Sequence, residues 1–293
     1  MQRAIALTLV LATASVAATA TVQPGTQRPE RASAAQQRQQ AAVDEIGRTG
    51  TQGPAVRAFL EGLPKAEGLY VIEGDILMTE QEVVQRYLTA RVADGKLKPG
   101  PELKINMLPS GAVDRYDGTH RTLTYALDRR TFADDASFRA VGRNVALATI
   151  AWEKACPACR VSFRRVKAHD TAPTHALVNF IVRNVDAGGN YIAASFFPHD
   201  APDRRYLNID ASYYSTTFDK VGVIRHELGH VLGYRHEHIA GVPGCYMEDS
   251  NWKPLTSYDS KSVMHYFCGG GGSLELKLTP TDIAGHRIAY KLP

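Results

Sequence analysis

Cysteine is scarce in this sequence, neither charge sign is in excess, and no second long apolar run follows the N-terminal one. Lys and Arg total 34 against 30 Asp and Glu, a balance of 34 − 30 = +4 over 293 residues. That is too weak a field to recruit a polyanion, so no nucleic-acid partner is expected. Four cysteines are too few for a scaffold built on disulfides. After the N-terminus nothing stays apolar for the about 20 residues that a bilayer span needs, which excludes a membrane-embedded body. No internal repeat is found. What remains is 44% hydrophobic and 22% charged, the composition of a globular protein with one large domain or two modest ones.

The N-terminus has the three parts of an export signal: Arg3, an apolar stretch from Ala4 to Ala14, and the small residues Ala18-Thr19-Ala20. Residues 1–20 are therefore expected to be a removed signal peptide, and the protein to be secreted, extracellular or periplasmic. With no cysteine next to the cleavage site, neither a lipid anchor nor any membrane attachment is expected after signal removal. Residues 21–60 are rich in Gln, Arg, Ala, Pro and Gly and are expected to bury too little to repay the entropy of ordering. An apolar run, Leu69-Tyr70-Val71-Ile72, then leads through Glu73-Gly74-Asp75 to a predicted helix from Thr79 to about Val92. Residues 93–118, broken by Gly and Pro, are expected to be a loose linker. The organisation predicted is a signal peptide (1–20), a leader with flexible ends (21–112) and a main domain (113–293).

Within the main domain Leu123, Tyr125 and Leu127 alternate as in a half-buried strand, and Phe138, Val141, Val145 and Trp152 fall near helical spacing. Val161 and Phe163, then Val178, Phe180 and Val182, then Leu207 and Ile209 mark further strands before a helix that begins near Thr217. The order predicts an α+β fold, a mixed sheet laid on helices.

That last helix carries His226-Glu227-Leu228-Gly229-His230-Val231-Leu232-Gly233-Tyr234-Arg235-His236, the spacing H-E-x-x-H-x-x-G-x-x-H. Histidines four apart stand on one helical face and can converge on one cation. Gly233 can take the left-handed conformation that ends a helix, letting the chain turn back so that His236 adds a third nitrogen. At this chain's own residue frequencies the full pattern arises by chance in roughly four of a hundred thousand such chains. Three neutral imidazoles leave one position of a zinc ion open, as in catalytic sites. Glu227 is not needed as a ligand and is placed to take a proton from an attacking water, which points to hydrolysis.

These residues resemble the metzincin zinc endopeptidases. The resemblance covers about residues 120–293 and includes a second motif, Ser262-Val263-Met264-His265-Tyr266, in the astacin wording. It implies a twisted sheet of about five strands, a long helix, the zinc helix, a turn with Met264 beneath the metal, and a C-terminal helix. It also implies that Tyr266 assists the oxyanion and that an extended peptide or protein substrate adds to the edge strand at Tyr191–Phe196. His236-Glu237 continues as in astacins, but His238-Ile239-Ala240-Gly241-Val242-Pro243 does not. Matrixins are echoed by Asp186-Ala187-Gly188-Gly189-Asn190, by Phe196-Phe197-Pro198 and by Leu278 to Gly285. Thr279, Pro280 and Asp282 also read independently as a helix start. The Asp186–Asn190 loop is read as a turn, and calcium there is not asserted.

The function expected is that of a secreted zinc endopeptidase made as a zymogen, with one catalytic zinc on His226, His230 and His236. The alternative is a catalytically silent zinc-containing adhesion or binding module, against which intact Glu227 and Tyr266 argue. Export predicts the bridges Cys156–Cys159 and Cys245–Cys268, with a redox-active or metal-binding Cys-Pro-Ala-Cys as the competing reading. For latency, no cysteine precedes Cys156 to cap the zinc. Ile72-Glu73-Gly74-Asp75 resembles the Phe-x-Gly-Asp of astacin leaders, which implies that Asp75 occupies the open zinc position, with Gly74 allowing the close approach.

Overall fold

A computed structural model describes residues 29–50, 52–89, 103–118, 121–240, 242, 245 and 251–291. The expected signal peptide and residues 93–102 lie outside them.

The N-terminal portion opens with helices α1 (Pro29–Thr49) and α2 (Pro54–Glu61). This corrects the expectation of disorder over residues 21–60 for the part described. Apolar groups are few there, but Ala42, Val43 and Ile46 fall on one helical face and are buried with Val56 and Phe59 of α2. The start of α2 has no side-chain cap of its own; Glu45 of α1 supplies one by accepting from Gly53, Ala55 and Val56 N–H at 3.0, 3.2 and 2.9 Å. Strands β1 (Lys65–Ala66), β2 (Leu69–Ile72) and β3 (Ile76–Met78) form an antiparallel sheet in that order. A capping box of Thr79 and Glu82 then starts α3 (Glu80–Glu82), which continues as a wider π-helical stretch, Val83–Leu88. Phe59 and Tyr87 stack at 6.2 Å, and Gln39 donates to the Tyr87 hydroxyl at 2.6 Å.

Residues 103–118 are not the loose linker that their Gly and Pro content predicts. They begin with strand β4 (Lys104–Asn106), all three residues buried. Pro109 and Gly111 serve a single tight turn beyond it, closed by Gly111 N–H on the Leu108 carbonyl at 2.8 Å.

The expected main sheet follows. Strands β5 (Thr122–Leu127), β6 (Ser162–Arg165), β7 (Phe180–Val185), β8 (Ala193–Ala194) and β9 (Tyr206–Asp210) form a mixed five-stranded sheet in the order β6-β5-β7-β9-β8. Four strands run parallel, and β8 lies antiparallel at one edge. Between β5 and β6 runs the long helix α4 (Asp135–Ala155), started by a capping box of Asp134 and Ser137 and buried along Val141, Val145, Ala148 and Trp152. Helix α5 (Lys220–Val231), with Asp219 as cap, packs on α4 beneath the sheet edge. Strands β10 (Tyr234–Arg235) and β11 (Trp252–Pro254) flank β4. The C-terminal helix α6 (Pro280–Tyr290) starts with the Thr279 and Asp282 capping box read from the sequence.

The fold is thus α+β, with six α-helices among the described residues. Cys156 bonds Cys159 and Cys245 bonds Cys268. The carboxylate of Asp186 accepts from its own loop at Gly188 N–H, 3.1 Å away, as a turn requires. Among the described residues no helix is long and apolar enough to cross a membrane.

Candidate metal centre

Helix α5 raises His226 and His230 from one face, and the chain reverses immediately after it. Gly233, at φ +93°, makes the reversal, and a Cβ there would lie 2.2 Å from the Asp114 carbonyl oxygen. Pairing of β10 with β4 then fixes the returning segment. His236 arrives with its Nε2 3.3 Å from that of His226 and 3.1 Å from that of His230.

Which nitrogen of each ring faces its neighbours is settled from behind. Nδ1 of His226 lies 2.7 Å from the Val263 carbonyl, and Nδ1 of His230 lies 2.8 Å from the Tyr234 carbonyl. A carbonyl can only accept, so each Nδ1 carries a proton and each Nε2 is the atom turned to the common centre. Burial pushes His230 down to about 4, so its ring is neutral.

Into this centre comes Asp75. It lies at the tip of the hairpin formed by β2 and β3, just after Gly74, whose φ of +100° makes the turn. Its Oδ2 is 3.2 Å from His226 Nε2 and 3.3 Å from His236 Nε2. Burial opposes ionisation, but His236 and His230 outweigh it and hold the carboxyl well below the usual range. Asp75 Oδ1 is buried with no hydrogen-bond partner among the described residues. One carboxylate oxygen and three imidazole nitrogens lie here within 4.8 Å of one another. This donor set fits a metal ion.

Glu227 and Tyr266 border the same centre. Tyr266 donates its hydroxyl to Asp75 Oδ2. Burial, and next the Asp75 charge, push Glu227 up to about 8. Its Oε2 is buried without a hydrogen-bond partner among the described residues. Both side chains line a cavity of about 470 Å³ that continues between Ile192, Phe218, Val223 and Leu276.

Met264 is fully buried in the turn that follows, where its carbonyl accepts from Glu237 N–H at 2.9 Å. Asp282 holds this turn, accepting from the Ser262 hydroxyl at 2.6 Å and from Val263 N–H at 2.9 Å. The same Val263 orients His226, so the cap of α6 also positions a ligand. Sequence reading finds Asp282 only as a helix cap, because its second task depends on a contact 20 positions away. It also misses Ser195, which donates to the Glu227 carbonyl at 2.9 Å, and Phe197, whose ring meets His230 edge-on at 5.6 Å. The bridge Cys245–Cys268 joins the segment after β10 to the segment after Met264. A further cluster of His238, His265 and Cys268 lies alongside, but Cys268 is held in that disulfide and offers no thiolate.

No protein-family model matches the chain. It is 28% identical over 116 residues to the dorsal-ventral patterning protein tolloid of Drosophila melanogaster, a match covering 30% of this chain and 10% of that protein. The chain thus spans about a tenth of the length of this curated relative. A solved structure titled "Structure of a chaperone-substrate complex" matches at 14% identity and a TM-score of 0.32, over 64% of this chain and 41% of the other; so loose a likeness carries no argument.

Proposed function

We propose that the protein is a secreted zinc endopeptidase of metzincin type, held latent by its own N-terminal portion. The observation that carries this reading is the convergence of three Nε2 atoms with Glu227 and Tyr266 around the Asp75 carboxylate. The partial similarity to tolloid, a metalloprotease, supports it. A site of three imidazoles suits zinc, and His226, His230 and His236 would hold the ion. Zinc bound there supplies Lewis-acid activation of a water and of the scissile carbonyl.

The chain's own groups do the rest. Glu227, raised toward neutrality, takes the proton of the attacking water and returns it to the leaving nitrogen. The Tyr266 hydroxyl, which donates to Asp75 in the latent form, donates to the carbonyl oxygen as that oxygen gains charge. The edge strand β8 pairs with an extended peptide by strand addition. In the latent form that edge is taken: Ile76, directly after Asp75, bridges Ser195 in parallel sense. Asp75 keeps water from the centre, and removal of the leader clears both.

The test is Glu227→Gln in the activated protein. The amide leaves all three imidazoles in place, so bound zinc stays at one per chain by elemental analysis. Casein hydrolysis falls by about 100 to 10,000-fold. Cleavage at the parent rate with zinc bound overturns the mechanism.

A further inference from the structure

The net charge of +4 is an average over two unlike parts of the chain. Residues 136–169 hold seven Lys and Arg and a single acid, Glu153. The rest of the chain holds 34 − 7 = 27 basic and 30 − 1 = 29 acidic residues, a slight negative balance. The basic segment runs along α4 and returns on β6, the edge of the main sheet opposite β8. Its one acid is half-buried, with Oε1 of Glu153 accepting from Phe163 N–H at 2.7 Å.

Helical spacing gathers part of this charge on one side. At about 100° per residue, Arg139, Arg143, Leu147, Ile150 and Lys154 fall within about 80° of one another. All five are exposed, while Val141, Val145, Ala148 and Trp152 are buried on the opposite side of the helix. Trp152 Nε1 donates to the Arg225 carbonyl of α5 at 2.9 Å, so the exposed stripe is turned away from the helix that bears His226 and His230. At 1.5 Å per residue the stripe is about 22 Å long. Arg139 reaches only Asp135, at 3.6 Å with both side chains more than half exposed, an attraction worth little in water. Arg143 and Lys154 make no ion pair among the described residues. Between those two cations stand Leu147 and Ile150, 54% and 41% exposed. Exposed apolar residues standing singly need no explanation. Set in line with cations on both sides, they form the pattern of a helix lying on an anionic bilayer, with apolar groups entering the headgroup region and cations held at the phosphates. A soluble polyanion would match the cations and leave the apolar pair wet.

We propose that the solvent side of α4 docks the folded protein on an anionic lipid surface. The dock departs from the expectation drawn from whole-chain charge, because that charge is low only as an average. It leaves the metal centre clear of the bilayer, since α5 packs on the opposite side of α4 and β8 lies at the far edge of the sheet. It does not depend on the peptidase chemistry.

The experiment is co-sedimentation of the protein, taken as secreted, with vesicles of equal parts phosphatidylglycerol and phosphatidylcholine and with vesicles of phosphatidylcholine alone. Each cation close to an anionic surface is worth roughly fivefold in partitioning at low salt. The anionic vesicles should therefore bind the protein about tenfold or more tightly than the neutral ones, and less so as salt is raised from about 0.05 to about 0.5 M. Arg143→Gln combined with Lys154→Gln should weaken that binding about tenfold or more. Leu147→Ser combined with Ile150→Ser should weaken it about fivefold or more, with circular dichroism unchanged in both. Equal binding to the two kinds of vesicle overturns the proposal, a result that needs no variant to fold. Binding that both double variants retain overturns it as well, because another surface then makes the contact. So does a loss confined to the charge variant: the stripe would then recognise a soluble polyanion, which retention of the parent protein on heparin would show.

Discussion

At the scale of residues, the centre is built from side chains oriented from behind: the Nδ1 atoms of His226 and His230 bond outward to the Val263 and Tyr234 carbonyls, which turns both Nε2 atoms toward Asp75. In the proposed function Asp75 serves the latent form only, since the three histidines, Glu227 and Tyr266 all belong to the later part of the chain. Asp75→Ala removes the carboxylate from the imidazoles and the acceptor of the Tyr266 hydroxyl. We expect the uncleaved variant to hydrolyse casein and to cut itself within residues 93–118, with zinc bound. An uncleaved, zinc-loaded variant as silent as the parent would sink the latency reading. The histidines, Glu227 and Asp75 were legible because each sits in a short motif. The ion pair of Glu73 with Arg235 was not, since the two are 162 positions apart and neither has a pattern of its own.

At the scale of elements, starts and stops follow local chemistry. Thr79 with Glu82, Asp134 with Ser137 and Thr279 with Asp282 each close a capping box. Glu82 does more, since Arg204 forks onto its two oxygens at 2.6 and 2.7 Å. Partial burial opposes its ionisation, but Arg204 and then Thr79 outweigh this and hold the carboxyl below its usual value. A carboxyl lowered in the folded state contributes stability above its unfolded pKa, about 4.3 for Glu, and loses it as pH falls through the folded value. Acid below about pH 4 should therefore loosen α3 from the rest of the molecule. Hydrogen exchange would show lower protection of residues 79–88, relative to the intrinsic rate at each pH, on acidification. In Glu82→Gln the protection would be low already at neutral pH and nearly flat with pH. An unchanged acid response in the variant would mean that other groups carry it.

At the scale of the whole molecule, the N-terminal portion has a small core of its own, around Phe59, Tyr70, Ile72 and Tyr87, and that core reaches into the later part of the chain through Phe197. The later part is closed by β4 on one side and by the bridge Cys245–Cys268 on the other. This bridge closes a loop of separation 23, for which chain entropy alone implies about 3 kcal/mol. Replacing both cysteines by serine should lower the urea midpoint of the full chain accordingly. Zinc affinity should fall with it, as the segments bearing His236 and Met264 gain freedom. An unchanged midpoint would show that the segments are held by packing alone.

Read by itself, the sequence determined whatever is decided between near neighbours in the chain. Period-two alternation placed β5, β7 and β9, helical spacing placed α4 and α5, capping residues set the start of α6, and the histidine spacing defined the metal centre. Each of these depends on residues within about one or two turns or strand steps, so composition in a short window carries it. It misjudged residues 29–49 and 103–116 for the same reason. Few apolar groups and several glycines and prolines look like loops until a partner is present, and the partners of Lys104–Asn106 are Tyr234–Arg235 and Trp252–Pro254. Tertiary structure alone decided that β4 is a strand, that Asp282 steadies a histidine, and that one hairpin carries two carboxylates inward, Asp75 to the histidines and Glu73 to Arg235. Such contacts join segments whose separation leaves no local period, and their free energy is gained only when the folded chain excludes water from both sides at once.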